Sequence, residues 1–243
     1  MKSKIIIVLS LLLILLSGCK KEISNQNQIS PSPTDNMVEE FTQKILVRSK
    51  AMVEETKEYI VAMDIPSITI PDGEEVQEEI NQVILDLSSL SVEKFKEKVA
   101  DLEEKVNQSY IGMDYEVTTE EYGFFSISLL INDYYGEDEV MTYRRSFNYH
   151  FGDLGELSLK DLLGEDYIML LNNEIKTQID LSPEMKSAVI NRGFTGIDDN
   201  TRFYLKEGKL VVYFERKSIF NYDYGIPAFE IPTSIYNPYS LKN

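Results

Sequence analysis

"YEVTTEEYGFFSISLLINDYYGEDEVMTYRRSFNYHF", Tyr115 to Phe151, decides the fold. Tyr115, Val117 and Thr119 alternate with Glu116, Thr118 and Glu120, and Phe125, Ile127, Leu129 and Ile131 alternate with smaller or polar residues. After "NDYYGEDE" the pattern resumes at Tyr143, Arg145, Phe147, Tyr149 and Phe151. A period of two sends alternate side chains to opposite faces of a strand, so the spacing predicts three consecutive antiparallel strands.

Upstream of this block the period changes. Val76, Ile80, Val83, Leu87 and Leu90 form a helical stripe, and Phe95, Val99, Leu102 and Val106 form a second one. The "SSLS" between them is poor helix-forming material, and Ser91 can cap a second segment, which predicts two helices or one kinked helix. Further back, "QKILVRSKAM" and "KEYIVAMDIP" read as short strands joined by a turn at Glu54 to Lys57. Pro66 and Pro71 bracket an extended segment that ends at a sheet edge.

Downstream, "GDLGELSLKDLLG" predicts a turn and a short helix, and Ile168, Leu171, Ile175 and Ile179 a further helix face. Ser182-Pro183 has the N-cap and first-turn proline of another helix. "TRFYLKEGKLVVYF" is a hairpin turning at Glu207-Gly208, and "PAFEIP" a last short strand. Strand runs and helix runs are segregated, so the fold class is α+β: antiparallel sheet packed by helices, in two small intertwined subdomains. Their parts span 37–109 (strand, strand, helix) and 110–243 (sheet plus helices).

The chain opens with Lys2 and Lys4, then an apolar run from Ile5 to Leu16 broken by Ser10. A dozen residues are short of the roughly 20 that a spanning helix needs, which suits a cleaved secretory signal over 1–18. Leu16-Ser17-Gly18-Cys19 resembles the lipobox of bacterial lipoproteins, and that resemblance implies a diacylglycerol on the Cys19 sulfur and cleavage before it. Acyl chains held in this way anchor a protein stably on a membrane. The expected location is therefore the outer face of the cell membrane. Residues 19–36, ending in "SPSPTDN", read as the anchor and a flexible tether. Cys19 is the only cysteine, so no disulfide, redox pair or thiol nucleophile is expected.

From Cys19 onward 225 residues remain, with 22 basic against 41 acidic side chains, a net charge of −19. That balance argues against a nucleic-acid partner, which needs a basic stripe, and favours cationic partners. Hydrophobic content of 43% with 11 Phe and 15 Tyr is enough to build a real core.

The order of elements resembles the extracytoplasmic module of lysozyme-sensing anti-sigma factors of the RsiV type and of PdaC-type peptidoglycan deacetylases. "YIVAMDIPSI" followed by "VQEEINQVI" carries the first half of the likeness. In the second half it rests on Asp153-Gly155, Leu157-Leu159-Asp161-Leu162, Gly225 and Phe229-Ile231-Pro232. The chain departs from the pattern at "DYYGEDEV", where those proteins often carry Gly-Gly-Ala-His. What the resemblance implies is a binding or sensing module, with lysozyme as the suggested cationic partner and a cell-wall component as the other ligand.

Tyr134 and Tyr135 beside Glu137, Asp138 and Glu139 are the candidate ligand-binding residues, two aromatics at a charged hairpin tip. The competing reading is a solvated tip. His150 is the only histidine, which disfavours a triad or a His-based zinc site, and no catalytic residue, metal or cofactor is expected. Asp198, Asp199 and Asn200 lack the alternating ligands of a Ca²⁺ loop and read as a turn. A carboxylate-dependent wall hydrolase and a structural accessory lipoprotein are the alternative functions.

Overall fold

The computed structural model describes residues 45–71, 73–102, 108–121, 123–136, 139–150 and 155–237. Six strands form the first sheet, in the order β1 (Leu46–Glu55), β2 (Tyr59–Thr69), β3 (Ser109–Glu121), β4 (Phe124–Tyr134), β5 (Met141–His150) and β6 (Gly155–Glu156). The three strands predicted from the central stretch are β3, β4 and β5, and the predicted first hairpin is β1–β2. Every pair is antiparallel except β2 and β3, which run parallel from Tyr59–Ser109 to Met63–Met113. The sheet therefore crosses from the 37–109 part into the 110–243 part without a break.

A parallel pair needs a crossover, and α1 (Glu74–Ala100) supplies it as a single uninterrupted helix. Two helices or a kink were expected from "SSLS". Instead the Ser88 and Ser91 hydroxyls donate back to the Ile84 and Leu87 carbonyls, both at 2.7 Å, and the helix runs through them. Its core face is Val76, Ile80, Ile84, Ser88, Phe95 and Val99, while Val83 and Leu90 are exposed. Beyond the parallel pairing, no strand among the described residues lies on the side of β2 away from β1. There the Asn81 side chain of α1 takes the place of one: its Oδ1 accepts from the Ile68 N–H and its Nδ2 donates to the Ile68 C=O, both at 2.8 Å. Gln77 Oε1 accepts the Ile70 N–H at 2.9 Å. Pro66, which has no N–H to offer, lies in the same stretch, opposite Ser49 of β1 on one side and with no described strand on the other.

Helices α2 (Leu159–Leu163), α3 (Tyr167–Leu181) and α4 (Pro183–Ala188) lead to the second sheet, β7 (Arg202–Lys206), β8 (Lys209–Tyr213) and β9 (Ala228–Ile231), all antiparallel. Ser182 caps α4 as expected, accepting from the Met185 N–H at 3.2 Å. The β7–β8 turn falls at Glu207 and Gly208, both at positive φ (51° and 74°). On α3 the buried residues are Tyr167, Leu171, Ile175 and Ile179, so Tyr167 rather than Ile168 begins the core face.

Each sheet has its own apolar cluster. Val61, Met63, Ile80, Ile84, Phe95, Phe125, Ile127 and Leu129 belong to the first; Leu171, Ile175, Leu205, Leu210, Val212, Phe220 and Phe229 belong to the second. Strand β4 serves both, because Phe125 enters the first and its neighbour Phe124 the second. Its polar positions are buried too, Ser126 at 0% exposure and Asn148 of β5 at 3%. These are not a solvent face; they receive the free edge of β7. Ser126 Oγ accepts the Leu205 N–H (3.2 Å) and donates to Asn148 Oδ1 (2.7 Å), and Asn148 Nδ2 donates to the Phe203 C=O (2.9 Å). Thr118 Oγ1 donates to Ser126 Oγ at 2.9 Å. A buried strand edge without partners is costly, and this network supplies them.

The predicted binding tip is placed differently from the expectation. Tyr135 is only 8% exposed: its ring packs on Phe95 (centroids 5.4 Å apart) with Lys98 Nζ 3.6 Å from its centroid, and its hydroxyl donates to Asp133 Oδ2 at 3.0 Å. It is a core residue of the first cluster and not the exposed anchor expected from the sequence. Burial pushes the Asp133 carboxyl above its ordinary range, against the Tyr135 hydroxyl and Lys98, which favour the charged form. A raised folded value means that the native state holds a proton the unfolded chain has released, so stability falls as pH rises through that window. Asp133→Asn keeps an acceptor for Tyr135 and removes the charge. It is expected to be more stable than wild type at pH 7, with the gain shrinking toward pH 4; urea melts across that range measure it, and a gain that does not change with pH would reject the assignment.

Candidate functional site

The second sheet covers only part of the outer face of the first. Over the rest, the face opposite α1, register places Ile60, Tyr110 and Tyr134 side by side on β2, β3 and β4. The next row is Ala62, Gly112, Asn132 and Thr142. Gly112 sits mid-strand, where glycine marks a close approach. A Cβ there would collide with the ring and hydroxyl of Tyr110, so the missing side chain is what allows Tyr110 to lie along the strand. Tyr110 and Tyr134 are both partly exposed. The aromatic ledge that results uses one of the two predicted tyrosines, Tyr134, together with Tyr110, which the sequence reading passed over. The available signal was the isolated Gly in "SYIGMDYEV".

Acidic side chains border this ledge. Glu55 lies opposite Ile60, Asp64 opposite Ala51, and Asp114 opposite Leu130, all three exposed. Toward the second sheet the boundary is Arg144, whose guanidinium carbon stands 4.7 Å from the centroid of the Tyr204 ring. Thr142 Oγ1 donates to Asn132 Oδ1 at 2.8 Å, which holds the polar floor between them. An array of exposed carboxylates, tyrosine faces and small residues can bind cationic side chains through charge and cation–π contact.

Of the predicted acidic rim, Glu137 and Asp138 lie outside the described residues. Glu139 is engaged, ion-paired with Lys217. His150 packs on Phe124, centroids 4.9 Å apart. Asp198 forms a turn, its Oδ1 accepting from the Asn200 N–H at 3.0 Å, and Asp199 accepts from the Tyr167 hydroxyl. Among the described residues no group of three His, Cys, Asp or Glu side chains could hold a metal ion. Cys19 lies outside the described residues, and no described helix is long and apolar enough to cross a membrane.

Fold and face together define an α+β module of two sheets, one of them with a partly uncovered outer face. A profile of the family described as "Protein of unknown function (DUF3298)" matches residues 160–234. Among solved structures the chain is similar to a member of the DUF3298 family from Bacteroides fragilis, at 14% identity and a TM-score of 0.60, over 78% of this chain and 91% of that one. It is also similar to a DUF3298 family protein from Pseudomonas aeruginosa, at 16% identity and a TM-score of 0.55, over 78% and 90% of the two chains. At these identities the likeness is one of fold. No curated protein matches the chain.

Proposed function

We propose that the protein is a lipid-anchored, non-catalytic binding or sensing module on the outer face of the cell membrane, and that its ligand is a cationic protein. The observation that carries this reading is the ledge of Tyr110 and Tyr134 with Glu55, Asp64 and Asp114 beside it, on a chain whose net charge is −17. Negative charge raises the rate of encounter with cations, while the tyrosines provide the desolvated contact that discriminates among them. The lipobox-like Leu16-Ser17-Gly18-Cys19 supports the location, and the resemblance to RsiV- and PdaC-type modules supports the ligand class. A wall glycan is the second reading, because a tyrosine ring lying along a strand also offers a stacking surface for a sugar.

Calorimetry with lysozyme as the cationic probe, and separately with peptidoglycan fragments, tests both. Binding of lysozyme should weaken between low and physiological salt, and Tyr110→Ala with Tyr134→Ala should reduce it at least about 100-fold, a loss in the range of an interface hot spot. Full affinity in the double variant would move the site elsewhere. Binding of glycan alone would replace the first reading by the second. Cys19→Ala should leave an uncleaved precursor or release the protein from membranes, and normal maturation of that variant would reject the anchor.

A further inference from the structure

The two edges of the six-stranded sheet are treated differently. At the β5 edge, Tyr213 Oη accepts the Ser146 N–H (3.1 Å), and Arg145 Nη1 donates to the Arg144 C=O (2.8 Å). Arg216 Nη1 and Tyr222 Oη donate to the Val140 C=O just before the strand, at 3.1 and 2.9 Å. That edge is sealed by side chains from the second sheet, its following loop and β5 itself. At the other end, nothing among the described residues pairs with the outer edge of β1, a strand of 10 residues. Such an edge is a template for another strand.

The β1 edge has a definite polarity. Because the Ile68 N–H and C=O go to Asn81, the Val47–Ile68 pair is of the non-hydrogen-bonded kind. Alternation then turns the N–H and C=O of Val47, Ser49, Ala51, Val53 and Glu55 outward. These five residues are symmetric about Ala51. Charge along the strand is asymmetric, with Arg48 and Lys50 in its first half and Glu54 and Glu55 at its end. A parallel neighbour of the same sequence would set like charges together. An antiparallel one sets opposite charges together.

We propose that β1 pairs with β1 of a second copy of this chain, antiparallel and with Ala51 on the two-fold axis. In that register all five outward residues find partners, forming on the order of ten backbone hydrogen bonds. Arg48 lies opposite the second copy's Glu54, in a non-hydrogen-bonded pair where side chains stand closest. Val53, 72% exposed in the single chain, lies opposite Ser49 on the outer face. The two first sheets become one continuous sheet, and their tyrosine ledges share one side of it. This is an isologous contact, the commonest kind in homodimers.

The test is sedimentation of the full chain in mild detergent from about 1 to 100 μM, with three variants. Wild type should dimerise across that range. Ala51→Pro, which removes a donor facing away from β2, should be monomeric with an unchanged circular dichroism spectrum. Arg48→Glu sets like charges opposite each other twice and should weaken the dimer about tenfold. In a Cys19→Ser background, which has no other thiol, Ala51→Cys should form an intermolecular disulfide under mild oxidation, since paired Cα atoms there lie about 5.5 Å apart. A wild type that is monomeric throughout overturns the proposal, as does a dimer that Arg48→Glu leaves unchanged. Should Ala51→Pro not fold, cross-linking at Ala51→Cys decides: its presence supports the register and its absence rejects it.

Discussion

Asn148→Ala is expected to lower the unfolding free energy by about 3 kcal/mol, the cost of leaving buried polar groups without partners. Asn148 is the link between the sheets, accepting from Ser126 and donating to the Phe203 C=O. Removing it strands that carbonyl on the free edge of β7, among buried residues, and leaves the Ser126 hydroxyl without its acceptor. Urea unfolding measures the loss. Ser126→Ala should cost a similar amount, and the two should be non-additive because they belong to one network. A loss below about 1 kcal/mol for Asn148→Ala, within the range of an ordinary exposed hydrogen bond, would mean that the β7 edge is not held by these side chains.

Asn81→Ala should rank next, at about 2 kcal/mol, for the two hydrogen bonds its amide makes to the backbone of Ile68. The site is only partly buried, so water recovers some of the loss. Asn81→Asp is the more telling variant: it retains an acceptor for the Ile68 N–H but places a carboxylate oxygen against the Ile68 C=O. It should therefore be no more stable than Asn81→Ala at neutral pH. Amide exchange at Ile68 should accelerate in both, well beyond any change at β4. Uniform acceleration throughout the sheet would argue that α1 as a whole, not this amide, holds the end of β2.

What could be read in the sequence depended on whether a residue's partner was local. The alternation from Tyr115 to Tyr149 follows from each strand turning one apolar side into the first cluster, and it identified β3, β4 and β5. The hairpin at Glu207-Gly208 and the cap at Ser182 are similarly local chemistry. The parallel β2–β3 pair leaves no such trace, since its register is set across the whole length of α1. In β4 and β5 the sequence shows only that smaller or polar residues alternate with apolar ones; that Ser126 and Asn148 bind a distant strand edge depends on β7, more than 50 residues on. The helix stripe was misread for a simpler reason. Ser88 occupies a core position because it returns its hydroxyl to the helix, and without it the pattern pointed to Val83 and Leu90. Of the candidate site, Tyr134 was legible and Tyr110 was not, because its exposure depends on the absent side chain of Gly112.

The double service of β4 bears on what can be inherited or transplanted as a unit. The stretch that matches DUF3298, residues 160–234, holds α3, α4 and the whole second sheet, and looks from its boundaries like a transferable module. Yet Phe124, on a strand that ends before this stretch begins, is part of its apolar cluster, and the outer edge of β7 ends on Ser126 and Asn148. Cutting the chain at these boundaries would therefore leave the outer edge of β7, and the part of the cluster that Phe124 fills, without their partners.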